Sequence, residues 1–185
     1  MKRLVLVTMA GAVMAVAVGA QQPAGDAAAI AQAVAAAPAN AREGAMVIRW
    51  KPDFTYDTLR PGTNRLVCYD QSYQPGEQPF SVQCTSVGNL ERVAQNLKFE
   101  TEQDRAKRQA ALDAAEKDGT RVKPEYGSVW YTMRGKDQAS ARVHMTIAVP
   151  GATTASTGLP DNNKQGGAWI MAAGTSSAHI MVPGS

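Results

Sequence analysis

The chain contains two cysteines, Cys68 and Cys84, with fifteen residues between them, and no other feature limits its possible folds so sharply. Each lies in a run with strand character, Asn64 to Tyr69 and Phe80 to Cys84, and the stretch between them carries Pro75-Gly76 with several Gln and Ser residues, the composition of an exposed loop. A bond between the two thiols would tie the bases of that loop together. In the chain-entropy account, closing a loop of this size is worth about 3 kcal/mol. The spacing is unlike the CxxC arrangements that serve redox exchange or zinc. Whether the thiols oxidise depends on the compartment, and for that the N-terminus is the informative region.

Lys2 and Arg3 precede an uncharged apolar run, Leu4 to Val18, and Val18-Gly19-Ala20 ends it in small residues. This is the pattern of a secretory signal peptide over residues 1–20, cleaved before Gln21. The alternative, an uncleaved anchor, calls for about 20 apolar residues and a basic stop. The residue immediately after the cleavage position is Gln21 and not a cysteine, and no second long apolar run occurs, so neither a lipoprotein anchor nor a membrane span after cleavage is expected. An even cysteine count in an exported chain favours a Cys68–Cys84 disulfide, and the expected location is periplasmic or secreted. Cleavage leaves 165 residues, enough for one domain with a real core. It also leaves 17 basic against 16 acidic residues. With no basic cluster, nucleic acid is not an expected partner.

Residues 21–41 are Ala-rich and read as a weakly ordered leader. Asp26 to Ala36 forms at most a short helix capped by Asp26, with Ile30 and Val34 as its only sizeable apolar groups, so little burial is expected. Residues 42–185 read as a single α+β domain. Strands are expected at Ala45 to Trp50, Asn64 to Tyr69, Phe80 to Cys84, Ser128 to Met133, Arg142 to Val149, Ala168 to Ala173 and Ala178 to Val182, with Thr55 to Arg60 an optional short strand, and Gly174 to Ser177 suits a hairpin turn. One long helix is expected over Asn89 to Asp118, capped by Asn89, with Leu90, Val93, Ala94 and Leu97 as its buried stripe. Asp104 with Arg108 and Asp113 with Lys117 are spaced for surface ion pairs. The expected class is therefore α+β, a mainly antiparallel sheet of about seven short strands with one long helix after the second cysteine.

The motifs that announce phosphate binding, hydrolase elbows, zinc proteases or calcium loops do not occur. Two histidines are the most suggestive residues. His144 and His179 each lie in a strand-like run that ends in Val-Pro-Gly. If those strands are neighbours in register, the imidazoles share a face with Met181, a copper-type ligand set, with Asp161 as a possible further ligand. Two unrelated strand histidines with methionines filling core gaps are the structural alternative. A nucleophilic arrangement of Ser176 or Ser177 with His179 lacks a carboxylate to orient the imidazole. Trp50, Trp130, Tyr131 and Trp169 read as sheet packing, whereas Tyr69 and Tyr73 read as exposed and able to build a ligand or protein-binding surface on the loop tied by the cysteines.

Gly167-Ala-Trp169-Ile-Met171 and Ala178-His-Ile-Met-Val-Pro183, together with Ala45 to Trp50 and Leu59 to Asn64 leading into Cys68, resemble a group of uncharacterised exported bacterial proteins. Arg65-Leu66 stands where that group has Gly-Trp, and Ser177 where it has an aromatic residue. The resemblance implies a periplasmic, single two-cysteine domain and brings no activity with it. The expected function is a non-enzymatic binding or accessory protein of the periplasm, acting on a protein or small-molecule partner. The alternatives are a metal-binding protein using His144, His179 and Met181, and a small-substrate hydrolase. No cofactor is expected unless it is a transition metal.

Overall fold

The computed structural model describes residues 24–183; the leader over residues 1–20 and the cleavage position before Gln21 lie outside the described residues. Eight strands form one sheet: β1 (Met46–Trp50), β2 (Tyr56–Arg60), β3 (Leu66–Asp70), β4 (Phe80–Ser86), β5 (Val129–Gly135), β6 (Arg142–Ala148), β7 (Trp169–Met171) and β8 (His179–Met181). Their spatial order is β2-β1-β3-β4-β5-β6-β8-β7. Only β1 and β3 pair in parallel; every other neighbouring pair is antiparallel. The α+β class and the mainly antiparallel sheet agree with the sequence reading, and the sheet has eight strands where that reading has about seven.

Cys68 and Cys84 sit directly opposite each other in the β3–β4 register and are disulfide-bonded. The sulfurs lie on the face of the sheet covered by α1 (Ala24–Ala33) and the 3-10 turn Val34–Ala36 that continues it. Here the burial differs from expectation. Ile30, Ala33, Ala35, Ala36 and Ala37 are all buried, in one cluster with Val47, Cys68, Phe80, Val82 and Cys84. Alanine carries little apolar area, but its small side chain lets the helix backbone lie close over the disulfide, so the segment is packed rather than loosely attached.

The opposite face carries Ile48, Trp50, Val67 and Tyr69, packed against Val93 and Leu97 of the helix α2 (Leu90–Glu100). The central strands are thus covered on both sides, which is why β3 reads as the unbroken run Leu-Val-Cys-Tyr rather than as an alternation. The connection from β2 to β3 passes close under β1: a Cβ at Gly62 would lie 2.6 Å from the Met46 backbone nitrogen.

The single long helix is corrected. The segment after Cys84 forms α2 and, separately, α3 (Arg105–Lys117). The break is chemical. The Asp104 carboxylate accepts from the backbone N–H of Ala106 and Lys107, starting a new helix where the sequence reading has it in a surface ion pair. Capping of this kind competes with helix continuation because a short polar side chain satisfies the orphan donors itself. Neither expected ion pair, Asp104 with Arg108 or Asp113 with Lys117, occurs among the described residues. Asn89 does not cap α2 with its side chain. It is fully buried, donating to Thr85 Oγ1 and Ser128 Oγ and accepting from Glu125 N–H, so it ties the helix start to β4 and β5.

Candidate functional site

Helix geometry places two unlike flanks beside α2. At 100° per residue, Val93 points into the sheet while Leu90 and Ala94 fall on one side and Arg92 and Asn96 on the other. A cavity opens along each flank.

The first cavity, of about 270 Å³, lies between the C-terminal end of α2 with the residues just after it, the β1–β2 turn and the loop joining β3 to β4. Its walls include Trp50, Phe54, Tyr73, Pro75 and Leu97. Trp50 and Phe54 also line an adjoining hollow of about 350 Å³ that continues past Ala94 to Leu90. The result is an aromatic groove running along the helix. Trp50 is held edge-on by Tyr56 and Tyr69, with ring centroids 5.4 and 5.9 Å away.

Phe54 reaches the groove through an unusual backbone. Its φ is 65°, a left-handed conformation that is costly for a bulky residue. The turn holds it there: Lys51 N–H donates to Thr55 O, Phe54 N–H donates to Lys51 O, and the Asp53 carboxylate accepts from both the backbone and the hydroxyl of Thr55. The Thr55 bonds hold the Asp53 carboxyl below its ordinary pKa. The Phe54 ring then lies 5.8 Å from the Lys98 ammonium.

Two polar atoms in this wall lack hydrogen-bonded protein partners. Trp50 Nε1 and Gln74 Nε2 are buried donors with no acceptor at hydrogen-bond geometry, in residues 6% and 9% exposed, although the Gln74 side chain does interact with the Tyr73 hydroxyl beside it. Buried donors are paired in the great majority of cases, and each exception calls for an explanation.

The loop carrying Tyr73 is more structured than its composition implies. Gln71 and Gln74 are buried in it. Gln71 Nε2 donates to Ser81 Oγ, Ser81 Oγ donates to the Glu77 carboxylate, and Glu77 pairs with Arg134 at 3.0 Å. Tyr73 is 58% exposed, as expected. Tyr69 is not: it is fully buried, and its hydroxyl donates to Gln83 Oε1. It supports the groove from beneath instead of forming surface.

On the other flank of α2, a cavity of about 200 Å³ is lined by Arg92, Asn96, Trp130, Thr146, Ser177 and His179, among others. Arg92 is only 5% exposed. Its Nη1 donates to Val122 O and Ser176 Oγ, and its Nη2 donates to Ser177 Oγ at 2.7 Å. Burial, with the neighbouring Arg121 adding to it, pulls its pKa down to about 10, so it remains a cation at neutral pH. Ser176 passes the contact on, its hydroxyl and backbone N–H both donating to Glu116.

The sequence-predicted site residues separate across this face. β6 and β8 are indeed neighbours, and His144, His179 and Met181 share one side of the sheet. However, His179 lies opposite Ala148, four residues from His144, which is about 13 Å along the strand. A single ion with ligands near 2 Å cannot be shared over that distance. Met181, opposite Thr146 and beside Trp169, is closer to His179 than His144 is. Among the described residues no group of three or more His, Cys, Asp or Glu could hold a metal ion, and Asp161, exposed, accepts from Asn162 Nδ2. His179 Nδ1 bonds to Ser177 O at 2.8 Å, while the Ser176 and Ser177 hydroxyls engage Arg92 and Glu116. The serines and the imidazole are therefore neighbours without the hydroxyl-to-imidazole bond that nucleophile activation uses.

Sequence reasoning missed Phe54, Gln74 and Arg92. Of these only Arg92 left a trace, as a charge beside an apolar helical stripe. No helix among the described residues is long and apolar enough to cross a membrane. No protein-family model, curated protein or solved structure matches the chain.

Proposed function

We propose that this is an exported binding protein whose aromatic groove, between α2, the β1–β2 turn and the Tyr73 loop, holds a small neutral ligand with an apolar body and acceptor oxygens. One observation carries the reading: Trp50 Nε1 and Gln74 Nε2 are buried donors without protein acceptors, and both residues line the same aromatic-walled cavity. A buried donor left unpaired costs about 1–3 kcal/mol, a cost that a carbonyl, ester or hydroxyl oxygen seated in the groove would recover. Apolar pockets with a few convergent polar groups are the usual form of small-molecule sites. The left-handed Phe54 supports the same reading, because backbone strain held by a local bond network concentrates at ligand sites.

Export is supported by the leader pattern and by the Cys68–Cys84 disulfide, a bond that persists in oxidising compartments. Intact-mass spectrometry of native material is expected to give a chain starting at Gln21; one retaining Met1 would overturn the exported placement.

Binding is tested with the neutral fluorophore N-phenyl-1-naphthylamine on the mature protein. Saturable fluorescence enhancement is expected, reduced at least about tenfold in affinity by Tyr73→Ala and by Phe54→Gly. Glycine suits the φ at position 54, so that variant removes the ring while leaving the turn unstrained. Enhancement that is absent, or identical in both variants, would remove the groove as the binding site.

A further inference from the structure

Independently of the groove, the second flank of α2 presents a buried cation that the protein does not neutralise by direct contact. Among the described residues no carboxylate lies within 4 Å of the Arg92 guanidinium. Its partners are one carbonyl and two hydroxyls. Glu116, the nearest anion in its network, is reached only through Ser176 and stands beside a second buried cation, Arg121. A cation removed from water without a paired anion is costly.

The surrounding acceptors are already in use. Asn96 Oδ1 accepts from Arg121 Nη2, which leaves its amide hydrogens as donors. Ser177 Oγ accepts from Arg92 Nη2, which leaves its hydroxyl proton free to donate. Ser177 O is taken by His179 Nδ1. Thr146 adds a hydroxyl and Trp130 an aromatic wall. The cavity therefore offers a positive charge, hydrogen-bond donors and one flat apolar surface.

We propose that this cavity binds a small organic carboxylate, its oxygens facing Arg92, Ser177 and Asn96 and its apolar part lying against Trp130. A carboxylate fits because its planar oxygens match the guanidinium fork and accept several donors at once. Its size is limited by the volume of about 200 Å³. The site shares no lining residue with the aromatic groove, so each can fail without the other.

The experiment is a proton–nitrogen NMR titration of the mature protein with acetate, benzoate and succinate, at ionic strength held constant with sodium chloride. Saturable shifts are expected for at least one of the three, centred on Ser177, His179 and the Trp130 indole N–H, with affinity in the millimolar range or tighter. Benzamide, the neutral analogue of benzoate, is expected to bind at least about tenfold more weakly than benzoate. Asn96→Asp, which sets a fixed negative charge in the wall, is expected to abolish the shifts while naphthylamine binding in the groove persists; Thr146→Asp serves the same purpose if the first variant does not fold. The proposal is overturned if none of the three anions moves those signals at up to about 20 mM, a concentration that saturates a millimolar site. Equal binding of benzamide, or unchanged binding in a folded charge variant, would overturn it as well.

Discussion

Residue chemistry on the two flanks of α2 gives the most direct predictions. Gln74 buries an amide nitrogen with no acceptor, and replacing such a group with an apolar one of similar shape is often neutral or stabilising. Gln74→Met is therefore expected to keep the unfolding free energy within about 1 kcal/mol of the parent in urea titrations, while naphthylamine binding weakens. A loss of several kcal/mol would mean the amide has a structural partner. On the other flank, burial raises the Glu116 carboxyl, but the two Ser176 bonds and the nearby Arg92 and Arg121 outweigh it and leave its pKa below the ordinary carboxylate value. A depressed folded-state pKa means the contribution is present at neutral pH, above the unfolded-state value, and is lost as pH falls through the acid range toward the folded-state value. Thermal melts from neutral pH into the acid range are expected to show this loss, and Glu116→Gln to show a shallower one. Identical pH profiles would remove Glu116 as a contributor.

Among the elements, α3 starts at a side-chain cap, Asp104. Asp104→Ala removes the cap whose carboxylate accepts from Ala106 and Lys107, and is expected to cost about 1 kcal/mol, as cap deletions do. Urea unfolding checks the size, and helix content by circular dichroism checks that the loss is local to α3. The docked α1 segment makes the opposite kind of prediction. Ala36 is 4% exposed against the disulfide-bearing face, so Ala36→Leu overpacks that face and is expected to cost about 1–3 kcal/mol. A stability equal to the parent's would mean that the helix can lift off the sheet, as the weakly docked reading of its composition had it. The composition of this segment misled because burial was judged by side-chain size, whereas here small size is what permits close packing.

For the whole molecule, the disulfide links adjacent central strands and so contributes chiefly through the unfolded chain. The Cys68→Ala, Cys84→Ala double variant is expected to lose about 3 kcal/mol, the entropy released by a loop of this length. Its strands should persist, because β3 and β4 still pair and are covered on both faces. Circular dichroism and urea titration separate these outcomes; a variant that loses its sheet would show that the bond, and not the two-sided packing, organises the centre of the fold.

Short-range patterns were legible from the residues alone. Strand-like runs bounded by turn residues marked the strands, most clearly the alternation of Arg142 to Val149, because side chains on a pleated strand take opposite faces at period two, and Cys68 and Cys84 flanking one loop predicted the bond that joins β3 to β4. Tyr73 was readable as loop surface for the same local reason. What only the tertiary structure decided was convergence. It kept His144 about 13 Å from His179 along neighbouring strands, although both lie on one face. It placed Trp50, Phe54, Tyr73, Gln74 and Leu97 around one cavity, and it buried Arg92 beside Ser176 and Ser177, more than eighty positions away in the chain. Strand register and helix docking set those distances through contacts between segments remote in sequence, and no periodicity within a segment encodes them.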